Sequence, residues 1–187
     1  MTDADRRALI IVDMSVEQIS AVTYNAKEVV SNCRELALNK NCFFDLVVDS
    51  KLWLKSPEES SLSWVFPETA TTMFVADSEG AQLVPELRSI PGITFVAKNN
   101  FSCFAKSDLL QVLRDAEISH VYICGINTDY CVFATTMASF ENQFRTFVVT
   151  DAVTSVRGKK AHEEGLRNLE RHFSSNALVL TKDIVSK

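Results

Sequence analysis

The chain has 187 residues, 47% of them hydrophobic and 23% charged, with a net charge of -5. That length fits one domain spanning residues 1–187, and the balance is that of an ordinary globular protein. The acidic charge excludes a sequence-independent nucleic-acid binder, which needs a basic stripe.

The pattern alternates between apolar runs and helical spacing from end to end. Ala8–Val12 is an unbroken apolar run closed by Asp13, and it predicts a strand buried on both faces. Residues 25–40 have helical spacing, with Val29, Val30, Cys33, Leu36 and Ala37 on one face. Cys42–Val48 is the second predicted strand, ending at Asp49. Residues 50–90 hold both tryptophans and three of the four prolines. They are expected to form short helices and loops, a lid over a pocket. Ile93–Ala97 is the third strand, ending at Lys98, and Ser107–Ala116 a helix. His120–Cys124 is the fourth strand, followed by a helix over Thr128–Asn142. Arg145–Thr150 is the fifth, ending at Asp151, then come a helix over Lys159–Arg171 and a last strand over Ala177–Thr181. Alternating strands and helices imply βα units. The expected fold is a three-layer α/β/α sandwich around a mostly parallel, six-stranded, Rossmann-like sheet.

No apolar run approaches the ~20 residues of a membrane span, so no membrane partner is expected. The opening residues, Met1-Thr-Asp-Ala-Asp-Arg-Arg7, lack the apolar core of a secretory signal. Five scattered cysteines without a CxxC point to free thiols in a reducing, cytoplasmic compartment. The five glycines form neither a GxGxxG nor a Walker loop, so no nucleotide cofactor is implied. Arg157, Lys159 and Lys160 are read as a solvated helix start.

Ligands of open parallel sheets bind beyond the carboxyl ends of the strands. Asp13, Lys98 and Cys131 fall at or just beyond such ends, placing an acid, a cation and a thiol on one rim. Cys131 lies in the expected first turn of a helix. Free backbone amides there lower a thiol's pKa and can cradle an oxyanion. Cys124, within an apolar strand, is expected in the core, as is Cys103, which follows Lys98 closely.

Three segments carry a family resemblance: Leu9-Ile-Ile-Val-Asp-Met14, Val96-Ala-Lys-Asn-Asn-Phe-Ser-Cys-Phe104 and Gly125-Ile-Asn-Thr-Asp-Tyr-Cys-Val132. They resemble the signature segments of the isochorismatase-like cysteine hydrolases, a superfamily that includes nicotinamidases, N-carbamoyl amidohydrolases and isochorismatases. Ser78-Glu-Gly-Ala-Gln-Leu-Val-Pro-Glu-Leu87, and Val149-Thr-Asp-Ala152 followed by His162, extend the resemblance along nearly the whole chain. It implies a triad of Cys131 as nucleophile, Asp13 as proton acceptor and donor, and Lys98 as the cation holding both. It also implies a cis peptide at Ile126–Asn127, with the amides of Asn127 and Cys131 as oxyanion donors.

Nicotinamidases, by the same resemblance, bind a metal through an Asp-x-His and a later His. Here Asp49 matches the aspartate, but Lys51 and Met73 stand at the other positions. These are poor ligands for zinc, so no metal or other cofactor is expected. Ser15 stands where many relatives carry Gln. Trp53, Trp64 and Phe101 are candidates for an aromatic pocket wall, with ordinary packing the other reading.

The expected function is metal-independent cleavage of a small amide or carbamoyl C–N bond through a thioester, by a chain that forms a homo-oligomer. A nicotinamidase with a remodelled metal site and an isochorismatase-type hydrolase are the alternatives within the class. A non-enzymatic interaction or assembly protein is the alternative outside it. The intact Asp13, Lys98 and Cys131 set argues against that last reading.

Overall fold

The first apolar run becomes the central strand of the sheet because nothing along it needs water. In the computed structural model, which describes residues 5–186, β1 (Arg7–Val12) is fully buried from Ala8 to Val12. Residues 1–4 and 187 lie outside the described residues. With them go most of the segment searched for a secretory signal and the two ends of the single-domain reading. After β1 come α1 (Val16–Ala21), α2 (Ala26–Leu38), β2 (Leu46–Leu52), α3 (Leu62–Val65), α4 (Pro67–Thr72) and α5 (Pro85–Arg88). The second half runs β3 (Thr94–Lys98), α6 (Leu109–Asp115), β4 (His120–Ile126), α7 (Phe133–Glu141), β5 (Arg145–Thr154), α8 (Lys159–Phe173), β6 (Leu178–Val179) and α9 (Lys182–Val185). The six strands form one sheet in the order β3-β2-β1-β4-β5-β6, every pair parallel.

Alternation along β1 sends Leu9 and Ile11 into one layer, with Val29, Cys33 and Leu36 of α2 and Leu87 of α5. It sends Ala8, Ile10 and Val12 into the other, with Leu109 and Leu113 of α6 and Leu169 of α8. A third, smaller apolar cluster caps the strand ends: Leu52, Leu54, Leu62, Ala70 and Phe74. It is built from the segment expected to form a lid, and short helices do form there. Among the described residues no helix is long and apolar enough to cross a membrane.

Strand order reverses between β1 and its neighbours β2 and β4, which makes this the switch point where such sheets bind ligands. Register sets the rim: Leu52 lies level with Lys98, and Val12 level with Gly125. Gly125 has φ of +107°, and a Cβ there would stand 2.1 Å from the Val12 carbonyl oxygen. Only glycine lets the two strands meet at this height.

The second strand differs from its predicted bounds. Phe43 and Phe44 belong to a turn, closed by Asn41 N–H donating to Phe44 O at 2.8 Å, and they pack on Tyr122. The strand itself runs on through Asp49, Ser50 and Lys51, all buried. Asp49 and Lys51 pair with each other, which allows two charged residues inside a strand. β4 and β5 also run further than predicted, to Ile126 and Thr154, so Asp151 lies within its strand. β6 is only two residues long. α1 was not anticipated.

Candidate active site

Three side chains from separate strand ends meet at the switch point. Asp13 follows β1 with φ of +52° and is fully buried. Its Oδ1 accepts from the Leu52 amide at 2.9 Å, and its Oδ2 lies 2.8 Å from Lys98 Nζ. Lys98, the last residue of β3, is also fully buried. Its ammonium donates to the carbonyls of Asn100 (3.0 Å) and Phe101 (3.2 Å) and reaches Cys131 Sγ at 3.5 Å. The chain thus brings Asp13, Lys98 and Cys131 within contact from positions 33 or more residues apart.

Cys131 does not sit in the first turn of a regular α-helix. Thr128–Val132 forms a wide π-type turn before α7, in which the amides of Tyr130 and Val132 both bond to Asn127 O at 3.0 Å. The peptide Ile126–Asn127 is cis. Asn127 is held from the far side, its Oδ1 accepting from Val156 N–H at 2.8 Å. Thr128 Oγ1 contacts His162 Nδ1 at 2.9 Å, and burial keeps the imidazole below its usual range. Gly165 of α8 lets that helix approach the turn closely, since a Cβ there would lie 2.9 Å from the Asp129 amide.

The electrostatics correct one expectation. A helix start was expected to lower the Cys131 pKa. Instead burial, the largest influence, pushes the thiol well above its ordinary value, and the Asp13 charge adds to this while Lys98 opposes it. The thiol lies beside the buried Asp13–Lys98 pair. Burial also works against the Lys98 ammonium, but Asp13 and then Cys131 outweigh it and hold Lys98 above the usual lysine range. Such a buried pair is stable only while both partners remain.

Cys131 opens onto a cavity of about 280 Å³, with Asn127, Tyr130, Phe101, Leu62, Met73 and Phe74 among its lining. Phe101 and Tyr130 are stacked with ring centroids 5.3 Å apart. Of the three aromatics expected in the wall, only Phe101 is there. Trp64 is 86% exposed. Trp53 faces a separate cavity with Asp49, Lys51 and Phe95, where the Lys51 ammonium lies 4.6 Å from the Phe95 ring centre. Alternation explains this: Trp53 follows Asp49 and Lys51 at period two, while Leu52 points to the site. Cys103 and Cys124 are fully buried core residues, and burial raises both thiols. Arg157, read as merely solvated, pairs with Asp129 at 3.0 Å and lies over the Tyr130 ring.

Sequence reasoning missed Gln18 and Tyr130. Tyr130 stood inside the quoted Gly125–Val132 segment. Gln18 had a weaker signal: it lies three residues after Ser15, whose side chain caps α1 by accepting from the Gln18 amide.

A family model described as the isochorismatase domain matches residues 7–183, and the chain belongs to that family. It is 28% identical over 107 residues to a ureidoacrylate amidohydrolase of Variovorax paradoxus, covering 57% of this chain and 42% of the relative. It is 32% identical over 104 residues to a phenazine biosynthesis protein of Pseudomonas aeruginosa, covering 56% and 48%. The aligned stretches thus span under half the length of these curated relatives. Among solved structures, N-carbamoylsarcosine amidase from Thermoplasma acidophilum superposes with a TM-score of 0.76 at 20% identity, covering 94% of this chain and 96% of the other. A zinc complex of pyrazinamidase from Pyrococcus horikoshii gives 0.72 at 24% identity, covering 94% and 98%.

The residues here do not fit such a metal. Oδ2 of Asp49 pairs with the Lys51 ammonium, which stands where a neutral ligand would be needed, and Met73 lines the other cavity. Among the described residues no group of three or more His, Cys, Asp or Glu side chains could hold an ion.

Proposed function

We propose that this chain hydrolyses the C–N bond of a small amide or carbamoyl compound, with Cys131 as nucleophile, Asp13 as proton carrier and Lys98 as their shared counter-ion. One observation carries the reading: Cys131 Sγ, at the mouth of a cavity, lies 3.5 Å from an ammonium that is itself 2.8 Å from a buried carboxylate. A neutral thiol cannot attack at a useful rate, so Asp13 takes the proton as sulfur bonds to the carbonyl carbon. The backbone amides of Asn127 and Cys131 receive the developing oxyanion; each such donor contributes about 3 kcal/mol. The tetrahedral intermediate collapses to a thioester, and Asp13 returns the proton to the departing nitrogen. Asp13 then deprotonates water, which attacks the thioester and releases the carboxylic acid and the Cys131 thiol. Lys98, 2.8 Å from Asp13, stays its partner between proton transfers. The test is mass spectrometry of protein quenched during turnover of an amide panel, with released ammonia or amine measured alongside. An acyl adduct on Cys131 supports the reading, and product formation without Cys131 overturns it.

This chemistry runs without a metal, because Lys51 pairs with Asp49 and among the described residues no group of three or more His, Cys, Asp or Glu could hold an ion. Activity on the best amide should be unchanged after dialysis against a strong chelator. Loss of activity with recovery on one equivalent of Zn²⁺ would overturn this and make nicotinamidase-type binding the better reading.

We further propose that the chain forms a homo-oligomer in a reducing, cytoplasmic compartment. All five cysteines are unpaired, which supports the compartment. Consecutive Trp64, Val65 and Phe66 are 86%, 50% and 41% exposed, an apolar run that supports association. Light scattering at micromolar concentration should give a mass above the 20.9 kDa of one chain; a monomer alone would refute it.

A further inference from the structure

The amino-terminal edge of the sheet carries a cavity that the proposed chemistry does not use. Strand register builds it. Arg7, the first residue of β1, lies level with His120, the first of β4, and His120 lies level with Arg145 of β5. Two residues further on, Tyr122 and Phe147 are level with each other. Side chains alternate along a strand, so all five share one face, the side of α2. α2 ends at Leu38, and the turn after it carries Cys42 and Phe43 to this row. Arg7, Cys42, Phe43, His120, Tyr122 and Phe147 line a cavity of about 330 Å³. Asp13 follows Arg7 by six residues of extended chain, which puts the catalytic rim about 20 Å away.

Two polar groups in this cavity have no protein partner. Tyr122 is only 8% exposed, yet its hydroxyl bonds to no described residue and is not sealed from solvent. A mostly buried donor is unfavourable until something accepts from it. The Arg7 guanidinium lies over the Phe43 ring, 4.7 Å from its centre, and makes no ion pair among the described residues. The nearby carboxylates go to Arg6 instead, Asp45 at 3.8 Å and Glu117 at 3.7 Å. Burial, the largest influence, holds the Tyr122 phenol above its ordinary range while Arg7 opposes it, so the hydroxyl is a donor at neutral pH. Rings close the sides: Phe43 stands edge-on to Tyr122 at 5.3 Å, and Phe147 stacks on Tyr122 at 4.7 Å. We propose that this cavity is a second ligand site, taking a small aromatic monocarboxylate whose carboxylate is held by the Arg7 guanidinium and the Tyr122 hydroxyl and whose ring lies against Phe43 and Phe147. A guanidinium already fixed on a ring matches a carboxylate through paired hydrogen bonds. Asp5 stands at the edge, 55% exposed and 3.9 Å from His120 Nδ1, and repels a second negative charge. The site is independent of the hydrolase reading.

The experiment is calorimetric titration of the wild-type chain with benzoate, benzamide, phthalate and inorganic phosphate. Benzoate should bind with a Kd of about 1 mM or tighter, and the other three at least about 10-fold more weakly. Tyr122→Phe keeps the ring packing and removes a hydroxyl that no described residue uses. Its unfolding temperature should match wild type, while the benzoate Kd rises about 5-fold. Arg7→Gln should raise that Kd by about 10-fold or more. Benzoate could also enter the cavity at Cys131, and these two variants at the other end of the strands tell the sites apart. Cys42 gives a second readout, because it is exposed and lines the same cavity. Saturating benzoate should slow its alkylation by iodoacetamide, assigned by peptide mapping, and this protection should be lost in Arg7→Gln at the same concentration. No benzoate binding up to about 10 mM, an affinity indifferent to both substitutions, or phosphate or benzamide binding as well as benzoate would overturn the proposal. So would a Cys42 rate that benzoate does not change.

Discussion

Cys131→Ala is expected to reduce turnover by at least about 10³-fold while leaving the fold intact. Without sulfur no thioester forms, and the remaining groups can only orient water against the amide. The oxyanion donors are backbone amides and survive the substitution, so a residual rate above the uncatalysed one is expected. The structural cost should be small. Cys131 is nearly buried at the cavity mouth, and removing one sulfur there costs about 1 kcal/mol, within the range of ordinary substitutions. Thermal unfolding of the purified variant should therefore stay close to wild type. Wild-type-like turnover in a variant shown by mass to lack the thiol would sink the mechanism. An unfolded variant would not decide it, and Cys131→Ser, which keeps the shape and a weaker nucleophile, then replaces it with the same expected direction.

The parts legible in the sequence were those that follow from local pattern. A short apolar run ending in a charge marked the rim positions Asp13 and Lys98, because a parallel strand is dry until it leaves the sheet. That rule failed at β2 for a physical reason. Asp49 and Lys51 neutralise each other inside the strand, so the first charge after Val48 was not its end. The register of β2 then decided which side chains reach the site. With Leu52 rather than Trp53 facing the cavity, the wall mixes aliphatic side chains with Phe66, Phe74, Phe101 and Tyr130, and the tryptophans lie elsewhere. The direction of the Cys131 pKa was also out of reach. A helix start is visible in sequence, but the burial that outweighs it comes from tertiary packing that brings Asp13, Lys98 and Cys103 around one sulfur. Gln18 was missed because a lone glutamine on a six-residue helix has no periodic signature.

The second large effect separates two residues that an activity assay alone would merge. Asp13→Asn and Lys98→Ala should each lower kcat/KM by about 10³-fold or more, yet move the Cys131 thiol in opposite directions. The Asp13 charge pushes that thiol up and the Lys98 charge pulls it down. Asn at position 13 keeps the shape and can still accept from the Leu52 amide, but carries no charge. The thiol pKa should then fall, and alkylation of Cys131 by iodoacetamide should speed up at a given pH while turnover is lost. Lys98→Ala removes the main influence holding the thiol down, so its alkylation profile should shift to higher pH. It also leaves a carboxylate buried without a partner, at a cost of about 3–5 kcal/mol. Lowered thermal stability is therefore expected for Lys98→Ala, and it should be partly recovered in the Asp13→Asn/Lys98→Ala double variant. Measurements belong in a Cys42→Ser background, because Cys42 is exposed and would react first. Peptide mapping assigns the label to Cys131. Profiles that move together, or a Cys131 rate indifferent to both substitutions, would mean that the ion pair does not govern the thiol, and proton transfer would have to be assigned to another group.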